Sequence, residues 1–541
     1  MKLISLLTFT FLLSFCLNGQ YISGVTTPDT LMKPVSDMSM TQVKLASEIT
    51  PQDLRKHLSI LASDEFEGRG TGEPGNDKAS NYIKKHFMSL GLKPNNDLKE
   101  GYYQDVQFNY ESWEDITINI NGQRFRHLWD FLAFQDKNID MDSLQINNIF
   151  FMGYGIDDPK YSDYKGKNVK GKTILIYDGE PLNPEGNSRI TGSSTPSEWS
   201  SDQNKKLAAA AKAGVKTVLI ISNNIKGMLA ENRRALLGAK VTMGEIKDRP
   251  TYPNNIYVST TIAEALMGSK KAKVLKSRDR ITAKGKLKKV KIKNNILLDM
   301  DKKVRSLNGK NVLGFIEGTD KKDEIIVLSA HYDHLGKKGE SIYNGADDNG
   351  SGTTAVLEIA ETFANGLKEG VRPRRSVLFL LVTGEEKGLL GSAYYAANPI
   401  YALENTMVDI NVDMVGRVDE KYESNPRYIY VIGSDRLSTD LHKINETVNQ
   451  KYTQLVMDYT YNSEQDPNRY YFRSDHYNFA KNGIPAIFFF NGTHKDYHMI
   501  TDTVDKINFD KMSEVTKHIF HLAWELANQE DKIIVDGVVK N

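Results

Sequence analysis

The sequence predicts an α/β protein: a mixed, mostly parallel twisted sheet with helices on both faces, joined to a second, β-rich inserted region. Runs EIIVLSA (324–330), SVLFLLV (376–382), MVDINV (407–412) and PAIFFF (485–490) are short, continuously apolar and flanked by turn residues. Such runs are the signature of strands buried on both faces. Helix-period stretches lie between them, which favours parallel crossovers. Acidic and histidine residues fall just past the ends of the runs, where open α/β sheets gather their ligand sites.

From the amino terminus, residues 1–19 read as a secretory signal peptide, with Lys2, an apolar stretch from Leu3 to Leu17 and a polar Asn18-Gly19-Gln20. The stretch is too short for a membrane span, and no later run reaches about 18 apolar residues. The mature protein is therefore expected to be exported, periplasmic or extracellular, without stable membrane insertion. Cys16 is the only cysteine, so a chain cut near Gly19 has no disulfide. Lipid attachment through Cys16 is the alternative, and the bulky Phe15 before it fits such a cleavage site badly.

Residues 20–47 read as a polar linker and 48–111 as the helical first part of the main domain. The insert follows over 112–289, with alternating strands (DITININGQ, IFFMGY, KTILIYD, KTVLIIS, NIYVS) and one helix. Its polar, turn-rich stretch EGNSRITGSSTPSEWSSDQN (185–204) reads as a mobile loop. The main domain resumes at 290 and runs to 541. A chain of 541 residues exceeds one ordinary domain. A net charge of +1, from 70 basic and 69 acidic residues, gives no electrostatic case for nucleic acid. The basic run KGKLKKVKIKNN (284–295) reads as an exposed strand or linker. The oligomeric state is not legible in the sequence.

The residues past the strand ends carry the chemistry. They are His331 and Asp333 in AHYDHLG, Asp348 in NGADDNGSG, Glu385 and Glu386 in TGEEKG, Asp413 in NVDMVG, and His498 in DYHMITDTVDK. Imidazole nitrogen and carboxylate oxygen suit zinc or another divalent ion with a position open for water. Two histidines and three carboxylates fit two ions roughly 3.5–4 Å apart. Asp348 is the natural bridge, because its Gly-rich turn lets backbone approach closely. Glu385-Glu386 offers one carboxylate for a metal and a neighbour for a proton.

In order and approximate spacing, the motifs H-x-D (331–333), G-A-D-D-N-G-S-G (345–352), G-E-E (384–386), N-V-D-M-V-G (411–416), S-D-H (474–476) and Y-H with D-T-x-D-K (497–506) resemble those of the zinc-dependent exopeptidases of family M28. The resemblance implies the zinc exopeptidase fold, of phosphorylase/hydrolase-like type, with two Zn²⁺ or other divalent ions and peptide substrates. It implies one metal on His331 and Asp413, the other on Glu386 and His498, and Asp348 between them. Glu385 would be the general base and acid, and Asp333 the carboxylate that fixes the His331 imidazole. Tyr497 would support the oxyanion, and the Asp348-Asn349 peptide would be cis. The stretch SDEFEGRGTGEPGNDKASNYIKKHFMSLGLKP (63–94) resembles the opening of secreted members, and the insert resembles their protease-associated domain.

Within this resemblance an aminopeptidase is favoured. A carboxypeptidase or dipeptidase of the same fold would turn Arg473 or Arg417 towards a substrate carboxylate. Glutaminyl cyclases share the fold with a single zinc, which the full ligand set opposes. A non-catalytic binding module is a remote reading, since all five ligands and the base are present. His334 and His494 compete for ligand roles but miss the family positions, and His476, in the S-D-H motif, is a candidate to face substrate and not a ligand. His518 and His521 read as surface or packing residues, while His57, His86, His127 and His442 have no partner pattern.

Overall fold

A computed structural model describes residues 35–93, 95, 97–243 and 252–539. The expected leader, its cleavage near Gly19 and Cys16 lie outside the described residues. The apolar runs form strands Lys321–His331, Arg375–Val382, Thr406–Val412 and Ala486–Phe490. Their central residues are buried throughout, as continuous apolar runs require.

Lys321–His331 is central. It pairs parallel with Arg375–Val382 on one side and Thr406–Val412 on the other, and the latter pairs parallel with Ala486–Phe490. Antiparallel neighbours flank this core: 312–316 runs against 377–381, and 430–432 against 488–490. The sheet is thus mixed, as the sequence predicts. On one face, helices Pro51–Leu61, Pro74–Ser89, Gly352–Lys368 and Phe509–Asn528 bury Leu58, Phe87, Phe363 and Trp524 against Ile326, Leu328 and Phe379. Helices Leu390–Ala397 and His476–Ala480 cover the other, setting Tyr395 and Phe479 on Val327 and Leu378.

Two long strands, Tyr103–Ile120 and Val290–Ile316, run antiparallel from Tyr103↔Val312 to Ile120↔Ile296. They carry the sheet on through Met141–Phe151, Thr173–Tyr177, Thr217–Ile221 and Asn254–Val258. Separate apolar clusters cover this second region, one around Phe151 and Leu175, the other around Ile174 and Trp199. Where the sequence suggests one helix here, the structure holds several, among them Gln203–Lys212, Thr260–Met267 and Lys271–Lys284. The last is rich in Lys and Arg, but Val274, Ser277 and Ile281 form a narrow buried stripe that docks it.

Two expectations are corrected. The linker read over 20–47 contains a helix, Val35–Ala46, which buries Leu45 and Ala46. Its Gln42 accepts from the Tyr452 hydroxyl at 2.9 Å. The loop read as mobile over 185–204 is stitched to Glu180, whose carboxylate accepts from Ser188 Oγ at 2.9 Å and the Ser197 N–H at 2.8 Å. Trp199 is buried there and donates to Asp158 at 3.1 Å. Serine-rich composition signals backbone turns, and here the same hydroxyls pin them.

His518 and His521 are packing residues. His518 is fully buried, between Thr453 at 3.0 Å and Asn445 at 2.9 Å. Burial lowers its pKa from 6.5 to about 3. The unfolded chain therefore takes up the proton first, and stability is lost as pH falls from 6.5 towards 3, at up to about 1.4 kcal/mol per pH unit. The thermal midpoint is expected to fall over this window, and His518→Gln to make the fall shallower.

Candidate metal centre

His331, Asp413 and the Glu385-Glu386 pair leave the carboxyl ends of central strands or the turns beside them, and His498 follows eight residues after Ala486–Phe490. His331 ends Lys321–His331, and its carbonyl accepts from Thr353 Oγ1 at 2.8 Å, tying the strand to the start of helix Gly352–Lys368. Asp413 follows Thr406–Val412 directly, and Glu385-Glu386 follow Arg375–Val382 after Thr383 and Gly384. Asp348 lies in the turn Ala346–Ser351 and precedes a cis peptide to Asn349. Gly345 has φ +53°, and a Cβ there would meet Asp348 O at 2.2 Å and the His334 ring at 2.4 Å. Only glycine permits this packing.

The structure brings His331, Asp348, Glu385, Glu386, Asp413 and His498 together. His331 Nε2 lies 3.4 Å from Asp413 Oδ1, 3.6 Å from Asp348 Oδ1 and 3.8 Å from Glu385 Oε2. His498 Nε2 lies 3.0 Å from Asp348 Oδ2 and 3.2 Å from Glu386 Oε1. One Asp348 oxygen thus faces the His331–Asp413 pair and the other faces the Glu386–His498 pair. His334, which sequence reasoning set aside, joins the second group: its Nδ1 is 2.9 Å from Glu386 Oε1 and 3.7 Å from Asp348 Oδ2. The chain turns just after the strand ends at His331, which swings His334 back across the site.

This donor set fits divalent cations. Asp413 Oδ1 and His334 Nε2 are buried without a hydrogen-bond partner, a costly state for polar atoms unless a cation satisfies them. Burial, offset in part by His331, holds the Glu385 carboxyl well above the usual carboxylate range, with Glu386 and Asp413 adding repulsion. Burial would raise Glu386 as well, but His334 and His498 outweigh it and hold that carboxyl well below the range. Burial lowers the His498 imidazole, while Asp348 and Glu386 carry it up to about 9. The adjacent glutamates are therefore driven apart, one to hold a proton and one to stay ionised.

Surrounding residues orient the cluster. Asp333 Oδ2 accepts from Thr71 Oγ1 at 2.6 Å and its Oδ1 accepts from the Glu385 N–H at 3.2 Å. Its Oδ1 is 3.7 Å from His331 Nδ1, which lies nearer the Asp333 carbonyl, at 3.1 Å. Ser474 Oγ donates to Asp413 Oδ2 at 2.8 Å. Asp502 accepts from the N–H groups of Asp347 and Asp348 at 2.9 and 3.2 Å. Arg69, fully buried, donates to the carbonyls of Leu61, Tyr332, Asn344 and Gly345 at 2.7–2.8 Å, so the amino-terminal segment props the Asp348 turn.

A cleft opens beside Asp348, Glu385 and Asp413, walled by Met414, Tyr470, Phe488 and Phe490, with Arg473 and Tyr497 at its side. Tyr497 stacks on His498 with centroids 3.9 Å apart. Other histidines stand apart from the cleft. His476 is fully buried against Phe488, so the possibility that it faces substrate is discarded. His494 Nε2 lies 3.2 Å from Asp347 rather than among the clustered carboxylates. Arg417 is engaged by Asp496 at 2.8 Å.

A model of peptidase family M28 matches residues 311–523. A probable aminopeptidase of Saccharomyces cerevisiae is 29% identical over 220 residues, 39% of this chain and 56% of its own length. A probable leucine aminopeptidase of Trichophyton verrucosum is 30% identical over 214 residues, 38% of this chain and 55% of its own. The chain thus spans about half the length of these curated relatives. The solved aminopeptidase from Aneurinibacillus sp. strain AM-1 shares the fold, with a TM-score of 0.52 at 19% identity, covering 92% of this chain and 98% of its own.

Proposed function

We propose that the chain is a member of peptidase family M28, whose model matches residues 311–523, and that it is an exported, dinuclear metal-dependent exopeptidase, an aminopeptidase that removes residues from the free amino end of peptides. The observation that carries this reading is the division of the Asp348 carboxylate between two groups of donors. His331 and Asp413 would hold one ion, Glu386 and His498 the other, and Asp348 both. The imidazole and carboxylate donors suit zinc. When bound, the ions lower the pKa of a water towards about 7 and polarise the scissile carbonyl.

The protein's own groups do the rest. Glu385 takes the proton of the attacking water and returns it to the leaving amine. Asp333 fixes the Glu385 backbone and lies beside His331, which keeps base and ligand in register. Tyr497, stacked on His498, directs its hydroxyl to the developing oxyanion. Tyr497→Phe is expected to lower kcat roughly 10²- to 10³-fold, the usual effect of removing one such donor, with metal content unchanged.

The walls of Met414, Tyr470, Phe488 and Phe490 fit an apolar amino-terminal side chain. Arg473 on the same cleft favours a second reading, a dipeptidase or carboxypeptidase in which its guanidinium receives a substrate carboxylate. Arg417 cannot serve, because Asp496 already engages it. A peptide panel with free or blocked ends separates the readings. Cleavage that requires a free amino end supports the aminopeptidase, and cleavage of amino-blocked peptides that requires a free carboxylate moves the assignment to Arg473. In this proposal 48–111 and 290–541 form the catalytic unit, and 112–289 is a protease-associated-like insert. Export rests on the leader-like first residues.

A further inference from the structure

A second cluster of metal-binding side chains lies between three helices on the face of the sheet away from the cleft walls. Helix Pro51–Leu61 presents His57, Pro74–Ser89 presents His86, and Gly352–Lys368 presents Glu358 and Glu361. Each helix contributes a polar pair at i, i+3 or i, i+4 spacing: Asp53 with His57, Tyr82 with His86, Glu358 with Glu361. That spacing puts each pair on one helix face. Ligand atoms of His57, His86 and Glu361 lie within 4.8 Å of one another, and among the described residues this is the one such group outside the candidate metal centre.

His57 Nε2 is 3.4 Å from Glu358 Oε1, and His86 Nε2 is 3.9 Å from Glu361 Oε2. A tetrahedral zinc with nitrogen and oxygen ligands at roughly 2.0–2.2 Å sets those ligands about 3.3–3.6 Å apart, so the His57–Glu358 pair already stands at that spacing and the wider contacts, up to 4.8 Å among His57, His86 and Glu361, close on binding. The other nitrogen of His57 is already fixed, 2.7 Å from the Tyr82 hydroxyl, as metal-bound imidazoles usually are. Two polar atoms at the centre, His86 Nε2 and Glu358 Oε1, are buried and have no hydrogen-bond partner.

The imidazoles pack edge to face, with centroids 4.6 Å apart, but simple aromatic packing leaves those two atoms unsatisfied. Burial, with Glu361 and Asp53 adding repulsion, pushes the Glu358 carboxyl up to about 8, and Asp53 and Glu361 against the one ammonium of Lys56 leave the local charge negative. Burial keeps His57 and His86 neutral, with pKa values of about 3 and 4, the protonation state a metal requires. The Glu361 side chain, 43% exposed, offers an entry path.

We propose that His57, His86 and Glu361, with Glu358 as fourth ligand, form a structural site for a zinc-type divalent ion that clamps the amino-terminal helices to Gly352–Lys368. That helix carries the Asp348 turn at its start, and Glu358 lies about 9 Å along it from Gly352. The ion would thus brace the element that positions Asp348, by a site separate from the chemistry. The inference stands whether or not the cleft hydrolyses peptides.

The test uses the full mature chain, equilibrated with micromolar zinc and dialysed. Crystals of the unsubstituted protein are expected to show a zinc-edge anomalous peak between the three helices. His86→Gln is expected to retain one zinc equivalent fewer and to lose the zinc-dependent rise in thermal midpoint assigned to this site. Should His86→Gln fail to fold, Glu361→Gln, at a side chain that is 43% exposed, gives the same comparison. No peak between the helices, or a peak that appears only at millimolar zinc, overturns the proposal, as does equal zinc content in the unsubstituted and substituted proteins.

Discussion

Glu385→Gln is expected to lower kcat roughly 10²- to 10⁴-fold, the range for loss of a general acid–base group, while zinc content stays that of the unsubstituted protein. The two halves of this result come from different atoms. Ligand atoms of His331 and Asp413 remain 3.4 Å apart, and those of Glu386 and His498 3.2 Å apart, without help from residue 385. Gln keeps the size of Glu385 and its backbone bond to Asp333 but cannot hold the transferred proton. Metal analysis beside steady-state kinetics checks both halves. Turnover equal to that of the unsubstituted protein would remove Glu385 from the mechanism.

Asp348→Asn is expected to act on the metals themselves. Its two oxygens face the two donor groups, so loss of the charge weakens both at once. Metal affinity and activity should fall by more than the roughly 10- to 100-fold typical of changes outside the ligand set. The metal-stripped proteins should behave oppositely. Burial and the neighbouring Glu386 push the Asp348 carboxyl up, so its charge is unfavourable when nothing neutralises it. Removing that charge is expected to leave the thermal midpoint of the stripped variant no lower than that of the stripped parent. Zinc titration and thermal unfolding, with and without chelator, read the two effects separately.

The central strands were legible because both faces are buried, which writes them as unbroken apolar runs. The candidate ligands His331, Glu386 and Asp413 were legible because they stand where such runs stop, whereas Asp348 and His498 stand out through the motifs around them. Other contributions come from contacts remote in the chain, which periodicity does not carry. Thr71 reaches Asp333 across 262 positions, and Arg69 reaches Gly345 across 276. His334 sits three residues past His331 and enters the site only through the turn between them. The S-D-H motif was misread in part: Ser474 bonds Asp413, whereas His476 is packed under Phe488. Residues 35–46 read as linker because their apolar content is modest, yet Leu45 and Ala46 suffice to dock the helix.

The pairing of a metal-dependent cleft with a free amino end is tested most directly by one substrate pair, a peptide with an apolar first residue and its amino-acetylated counterpart. Each is offered to the chelator-stripped protein and to the same protein after zinc is restored. The expected result is cleavage of the free peptide alone, and only with zinc present. Equal cleavage by stripped and restored protein would contradict the metal mechanism, and equal cleavage of the acetylated peptide would contradict the aminopeptidase.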